Sequence, residues 1–257
     1  MNFITRAMDN IRARETECWN GISYACHKVG IARGFDVVCL SFHVRDWILG
    51  QDRNCCKHAW CATYTRSGLL KEEALETWLV RRREKREVGR PVMFILDLVD
   101  YDVEGVASVS HSACLFWSGR RLMFVNPHGA DSEYNREYEC AWTRTRTKRV
   151  YLKDALDRQI VGALAAYINS HEPARWEPTP EHNYWGECLQ ADDEIGICYA
   201  FPILLANVWD PHTHAAPEGV VGAMRLRYPG EPSQAASDAL KRTMPQIQKT
   251  MRSAIHF

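Results

Sequence analysis

The run Val92-Met93-Phe94-Ile95-Leu96 does most to limit what this chain can fold into. Five consecutive apolar residues behind Gly89 and Pro91 are too uniform for a strand with one wet face, and too short for a helix of ordinary length. They fit a strand buried on both faces. Two further runs follow, His111 to Trp117 and Arg120 to Val125, divided by Ser118-Gly119. A two-residue break containing glycine between such runs is a hairpin signal.

Around these strands the apolar period is helical. Phe3, Ala7 and Ile11 recur at helical spacing, as do Cys18, Ile22, Ala25 and Cys26. A stretch from Leu69 to Val88 carries Leu70, Ala74, Leu75 and Trp78 on one side and ends in Arg81, Arg82, Arg83, Lys85 and Arg86. Cations followed by Gly and Pro form a helix stop. Val150-Tyr151-Leu152 reads as a further short strand. Lys153 to Asn169, with Leu156, Ile160, Leu164 and Ile168 at four-residue steps, is the clearest helix. Another is expected at about 199–209, stopped by Asp210-Pro211. The tail puts Leu240, Met244, Ile247, Met251 and Ile255 on one stripe, with a kink at Pro245. The expected fold is α+β: a central mixed or antiparallel sheet flanked by helices. Residues 1–90 would form an N-terminal helical extension, 91–215 the core, and 216–257 a helical tail packing on that core.

A chain of 257 residues with 46% apolar and 25% charged residues can bury a core without staples. Its formal net charge is zero, so global electrostatics nominate neither nucleic acid nor membrane as a partner. No apolar run approaches the roughly 20 residues that span a bilayer, and Met1 to Arg14 lacks a signal-peptide core. The expectation is a soluble, intracellular protein whose ten cysteines are mostly reduced and buried. Cys55, Cys56, His58 and Cys61 form a dense cluster without the paired halves of a zinc site, so packing is the reading preferred to metal binding. No cofactor is implied.

The hairpin carries the first chemical hint. If Ser118 and Gly119 are its loop, Trp117 faces Arg120. Six residues further along each strand, His111 then faces Asn126 on the same side of the sheet. An Asn carbonyl that accepts from one imidazole nitrogen fixes the tautomer and leaves the other to take a thiol proton. The bland alternative is a cross-strand polar pair. The second hint is Cys198, which follows a turn containing Gly196 and opens an apolar helix. Backbone N–H groups at a helix start favour thiolate and can hold an oxyanion, and Gln190 could add a side-chain donor. Pro202 belongs in a first helical turn, which would move the regular helix start to near Phe201. A buried small residue at a helix start is the alternative for Cys198.

The order His111, Asn126, Gln190, Cys198 resembles that of the adenain and ubiquitin-like-protein protease (Ulp1-like) cysteine proteases. His111-Ser112-Ala113, Val125-Asn126-Pro127-His128-Gly129, Cys188-Leu189-Gln190 and Gly196-Ile197-Cys198-Tyr199-Ala200 look in particular like the Ulp1-like proteins of large nucleocytoplasmic DNA viruses. Over about residues 91–210 the resemblance implies a helix-flanked sheet and thiolate attack on a peptide or isopeptide bond. It makes His111 the base, Asn126 its orienting residue, Gln190 the oxyanion donor and Cys198 the nucleophile. The implied partners are a viral structural precursor or a ubiquitin-like conjugate, in host cytoplasm or virion. Three positions depart from the pattern: Gln190 lies eight residues before Cys198 rather than six, Ser112 replaces an aromatic residue, and Tyr199 replaces glycine.

Cys18 is a rival nucleophile that would give the papain-like order Cys, His, Asn, although no glutamine precedes it. A different class is a non-catalytic virion structural protein, such as a minor capsid component, built on the same fold and touching capsid proteins through its Arg and Trp residues. The strip Arg144-Thr145-Arg146-Thr147-Lys148-Arg149 could grip nucleic acid, but it reads more simply as a charged strand edge. An acyltransferase using the same thioester chemistry is the third possibility.

Overall fold

The computed structural model describes residues 21–43, 59–66, 68–101, 107–119, 121–127, 129, 137–143, 146–151, 161–171, 183–184, 189 and 197–254. Helix α1 covers residues 21–33. It is followed by strands β1 (Asp36–His43), β2 (Trp60–Tyr64) and β3 (Leu70–Ala74), then helix α2 (Leu75–Glu84). Next come β4 (Val92–Tyr101), β5 (Ala107–Trp117), β6 (Leu122–Val125), β7 (Glu137–Thr143) and β8 (Arg146–Tyr151). Helix α3 (Val161–Asn169) and the short β9 (Asn183–Tyr184) lead to a 3-10 turn, Ile197–Ala200. Helices α4 (Phe201–Val208), α5 (Pro217–Arg227) and α6 (Pro232–Ala254) complete the order.

Seven strands form one mixed sheet in the order β3-β2-β1-β4-β5-β6-β9, while β7 and β8 pair as a separate hairpin. The run from Val92 is central, as its composition demands: β4 pairs in parallel with β1 and antiparallel with β5. Its successive residues feed two cores. Val92, Phe94 and Leu96 meet Leu75, Trp78 and Leu79 of α2 and Val161, Leu164 and Ile168 of α3. Met93 and Ile95 meet Ile22 and Cys26 of α1, with Phe201, Leu204 and Leu205 of α4, Val220 and Met224 of α5 and Ala236 of α6. The fold is an α+β arrangement in which helices cover both faces of the sheet.

The described part of residues 1–90 is not a helical extension of the core. It contributes three strands to the same sheet as the core, so no boundary falls at residue 91. The period misled for a physical reason. Val37, Val38, Cys39 and Leu40 of β1 are buried on alternate faces, so the strand lacks polar alternation. Leu70 to Ala74 pairs with β2, and the chain turns helical only at Leu75, with no glycine or proline to mark the change. Helix α5 lies within the expected helical tail, 216–257. Residues 1–20, which hold the first helical stripe, lie outside the described residues. No helix among the described residues is long and apolar enough to cross a membrane.

Candidate active site

The turn after β5 comprises Ser118 to Arg121, not two residues: Ser118 N–H donates to Arg121 O at 3.1 Å, and Gly119 supplies a φ of 88°. Trp117 therefore faces Leu122 and Cys114 faces Val125, two residues from the expected register. Because side chains alternate with a period of two, a shift of two leaves every residue on its expected face. His111 and Asn126 become diagonal neighbours instead of facing ones, and the bond between them forms all the same. His111 Nε2 lies 2.8 Å from Asn126 Oδ1, with the two residues 1% and 4% exposed. An amide oxygen only accepts, so Nε2 carries the proton and the accepting role falls to Nδ1. Asn126 itself sits just past β6, where a turn closed by Gly129 N–H on Asn126 O (3.1 Å) ends the strand. Gly129 has a φ of 62°, which explains glycine at that place in Asn126-Pro127-His128-Gly129.

Cys198 stands in the 3-10 turn ahead of α4, whose regular winding begins at Phe201 with Pro202 in its first turn. Its sulfur lies against the backbone N–H of Ser112, the residue after His111, and against that of Tyr199. The meeting point is set by the length of β6. That strand stops at Val125, opposite Cys114, so the edge of β5 at Ser112 is left for the thiol. Alternation turns the His111 side chain to the face of Ala113 and Leu115, and that of Ser112 to the face beneath α4. Cys198 is 4% exposed. Burial is the largest influence on it and pushes the thiol up to about 11; the Asp97 carboxylate pushes the same way, while the neighbouring backbone N–H groups pull down. At neutral pH this thiol keeps its proton.

Two polar residues flank the thiol, Asp97 and Ser112, and a third, Ser41, holds Asp97. Asp97 pairs with Ser112 across β4 and β5, and with Ser41 across β1 and β4, where Ser41 Oγ donates to Asp97 Oδ2 at 3.2 Å. Ser112 is fully buried and its Oγ has no hydrogen-bond partner among the described residues. A carboxylate interrupting the run after Leu96, and a serine amid a buried strand, were the traces in the sequence that could have been followed.

Gln190 lies outside the described residues, but Leu189 just before it is fully buried and donates its N–H to Pro127 O at 2.8 Å. Leu189 thus lies alongside the turn that follows Asn126. Cys18, Cys55, Cys56 and His58 also lie outside the described residues. Cys61 is interior to β2, paired between Leu40 and Glu73 and fully buried. Among the described residues no group of three His, Cys, Asp or Glu could hold a metal ion. Cys26, Cys39, Cys61, Cys114 and Cys198 are all buried free thiols. No family model, curated protein or solved structure matches the chain.

Proposed function

We propose that the chain is a cysteine hydrolase of the adenain and Ulp1-like pattern, with Cys198 as nucleophile, His111 as base and Asn126 as the residue that orients it. The observation that carries this reading is the buried 2.8 Å bond from His111 Nε2 to Asn126 Oδ1, joined to a thiol that touches the very next backbone group, Ser112 N–H. Residues 72 positions apart in sequence at Asn126 and Cys198 thus converge on two neighbouring residues of one strand.

The chemistry follows from the ring's tautomer. The His111 side chain lies on the sheet face opposite α4, so the proposed chemistry requires the site to rearrange until Nδ1 meets the thiol. Nδ1 then takes the Cys198 proton as the sulfur attacks a carbonyl carbon, and the oxyanion forms against the N–H groups at the start of the 3-10 turn, with Gln190 as a further donor. His111 returns that proton to the leaving amine, and a thioester remains on Cys198. Water then attacks the thioester, gives a proton to His111 and releases the acid, and the thiol is restored. The proposed substrates are proteins: a structural precursor or a ubiquitin-like conjugate.

One observation favours the second reading, a non-catalytic virion structural protein on the same framework. His111, Asn126 and Cys198 are all buried, the His111 side chain lies on the sheet face opposite α4, and the thiol is protonated at neutral pH. A hydrolase on this framework has to open before it acts. Incubation of wild type and Cys198→Ala with candidate precursors and with ubiquitin-like probes bearing a thiol-reactive C-terminus separates the two. The hydrolase reading expects cleavage or a covalent adduct with wild type only. Equal inertness of both, with Cys198 still open to a small alkylating agent in the unfolded chain, would sink it in favour of the scaffold.

A further inference from the structure

A hydrogen-bonded chain links the C-terminal helix to the candidate site. Ser233, in the first turn of α6, is 1% exposed. Its Oγ donates to Leu189 O at 3.3 Å, across 44 residues of sequence. Leu189 in turn donates its N–H to Pro127 O at 2.8 Å, and Pro127 directly follows Asn126. The peptide groups flanking Leu189 are therefore held at both ends, by α6 on one side and by the Asn126 turn on the other. Leu189 itself is fully buried in the core shared by α4, α5 and α6. The Ser233 hydroxyl thus reaches a carbonyl on a distant stretch of chain.

We infer that Ser233 is a positioning residue. It fixes Leu189 against the turn that carries Asn126, and so couples the C-terminal helix to the geometry of the site. This rests on the hydrolase reading for its catalytic consequence, but not for the hydrogen bonds. Ser233 touches no reacting atom. Its loss loosens one strand of the site while the nucleophile and its base stay as they are.

The test uses the full chain as wild type, Ser233→Ala and Ser233→Thr, with two readouts. Amide hydrogen exchange at Leu189 reports the bond chain whatever the activity. Steady-state kinetics on an activated acyl ester, with the pH dependence of Cys198 alkylation beside it, report the catalytic effect. The expected result for Ser233→Ala is faster exchange at Leu189 and a kcat reduced about three- to tenfold, the range one neutral hydrogen bond is worth. KM stays within twofold, the alkylation profile is unmoved, and Ser233→Thr restores wild-type values. A merely structural serine would lower the amount of folded protein without splitting kcat from KM. Should Ser233→Ala fold poorly, Ser233→Thr against Ser233→Val, matched in shape and differing in the hydroxyl, makes the same comparison. Unchanged exchange at Leu189 overturns the inference outright. Faster exchange with unchanged kcat overturns the positioning role. A wild type that alkylates at Cys198 yet turns over no acyl substrate overturns the hydrolase reading and the catalytic role of Ser233 together, with the exchange result left to report on the bonds alone.

Discussion

Replacing Asn126 by alanine tests the pair at the centre of the site. In the wild type the Nε2–H of His111 is 1% exposed as a residue and donates to Asn126 Oδ1 at 2.8 Å. Alanine removes the acceptor but leaves the donor buried. A buried polar group stripped of its partner costs about 1–3 kcal/mol, and the pocket left by the amide is small enough to add little. The imidazole can soften the loss by moving its proton to Nδ1, but that tautomer can no longer accept the thiol proton. The same 1–3 kcal/mol therefore reappears in the activation barrier, as a roughly 5- to 150-fold fall in kcat/KM. Urea denaturation measures the first quantity and hydrolysis of an acyl ester the second. The 15N shifts of the His111 ring report the tautomer directly, with the proton on Nε2 in wild type and divided between the nitrogens in Asn126→Ala. Asn126→Asp separates the two effects: it retains an acceptor and so keeps the tautomer, while burial of a carboxylate lowers stability. The reasoning is refuted if Asn126→Ala stays within about 0.5 kcal/mol of wild type in stability and within twofold in turnover.

Other perturbations follow from the same contacts. Below pH 9 both folded and unfolded chains keep the Cys198 proton; above it the unfolded chain gives its proton up first, so stability falls with rising pH until the folded thiol ionises near 11. That single thiol removes about 2–3 kcal/mol across the window, and Cys26, Cys39, Cys61 and Cys114, all raised by burial, add to it; a denaturation midpoint that is flat from pH 8 to 10.5 would count against it. Arg82→Met removes a buried guanidinium that lies 3.1 Å from Asp36, while Arg90 still reaches the same carboxylate at 3.2 Å. With Asp36 partly open to solvent, the expected cost is about 2–3 kcal/mol, below that of a fully buried broken pair, and urea unfolding with no measurable loss contradicts it. In Gly30→Ala the new Cβ would lie 2.6 Å from Phe35 O and 3.0 Å from Val37 Cγ2. Backbone has to shift there, which lowers the melting temperature by an amount equivalent to about 1–3 kcal/mol; an unaltered melting temperature would show the contact to be soft.

What the sequence disclosed, and what it withheld, divides by the range of the interactions. The run from Val92 announced a strand covered on both faces because that property belongs to five adjacent residues. The start of α4 at Phe201 was legible because Pro202 restricts its own neighbours. By contrast, β1 hid among the helical periods, since a strand buried on both faces shows no alternation to read, and nothing local marks Leu75 as the place where β3 gives way to α2. The meeting of Cys198 with Ser112 depends on where β6 stops, and that in turn depends on a turn two residues longer than its glycine suggested. The His111–Asn126 pair came through that error for a specific reason. Pleating repeats every two residues, so a register displaced by two moves neighbours along the strand but keeps them on one face, within reach of an imidazole and an amide. A slip of one would have turned Asn126 to the opposite face with Cys114, and no side chain would have spanned the sheet to restore the bond. The pair was legible through the parity of its positions, which the turn length could not disturb by an even number of residues.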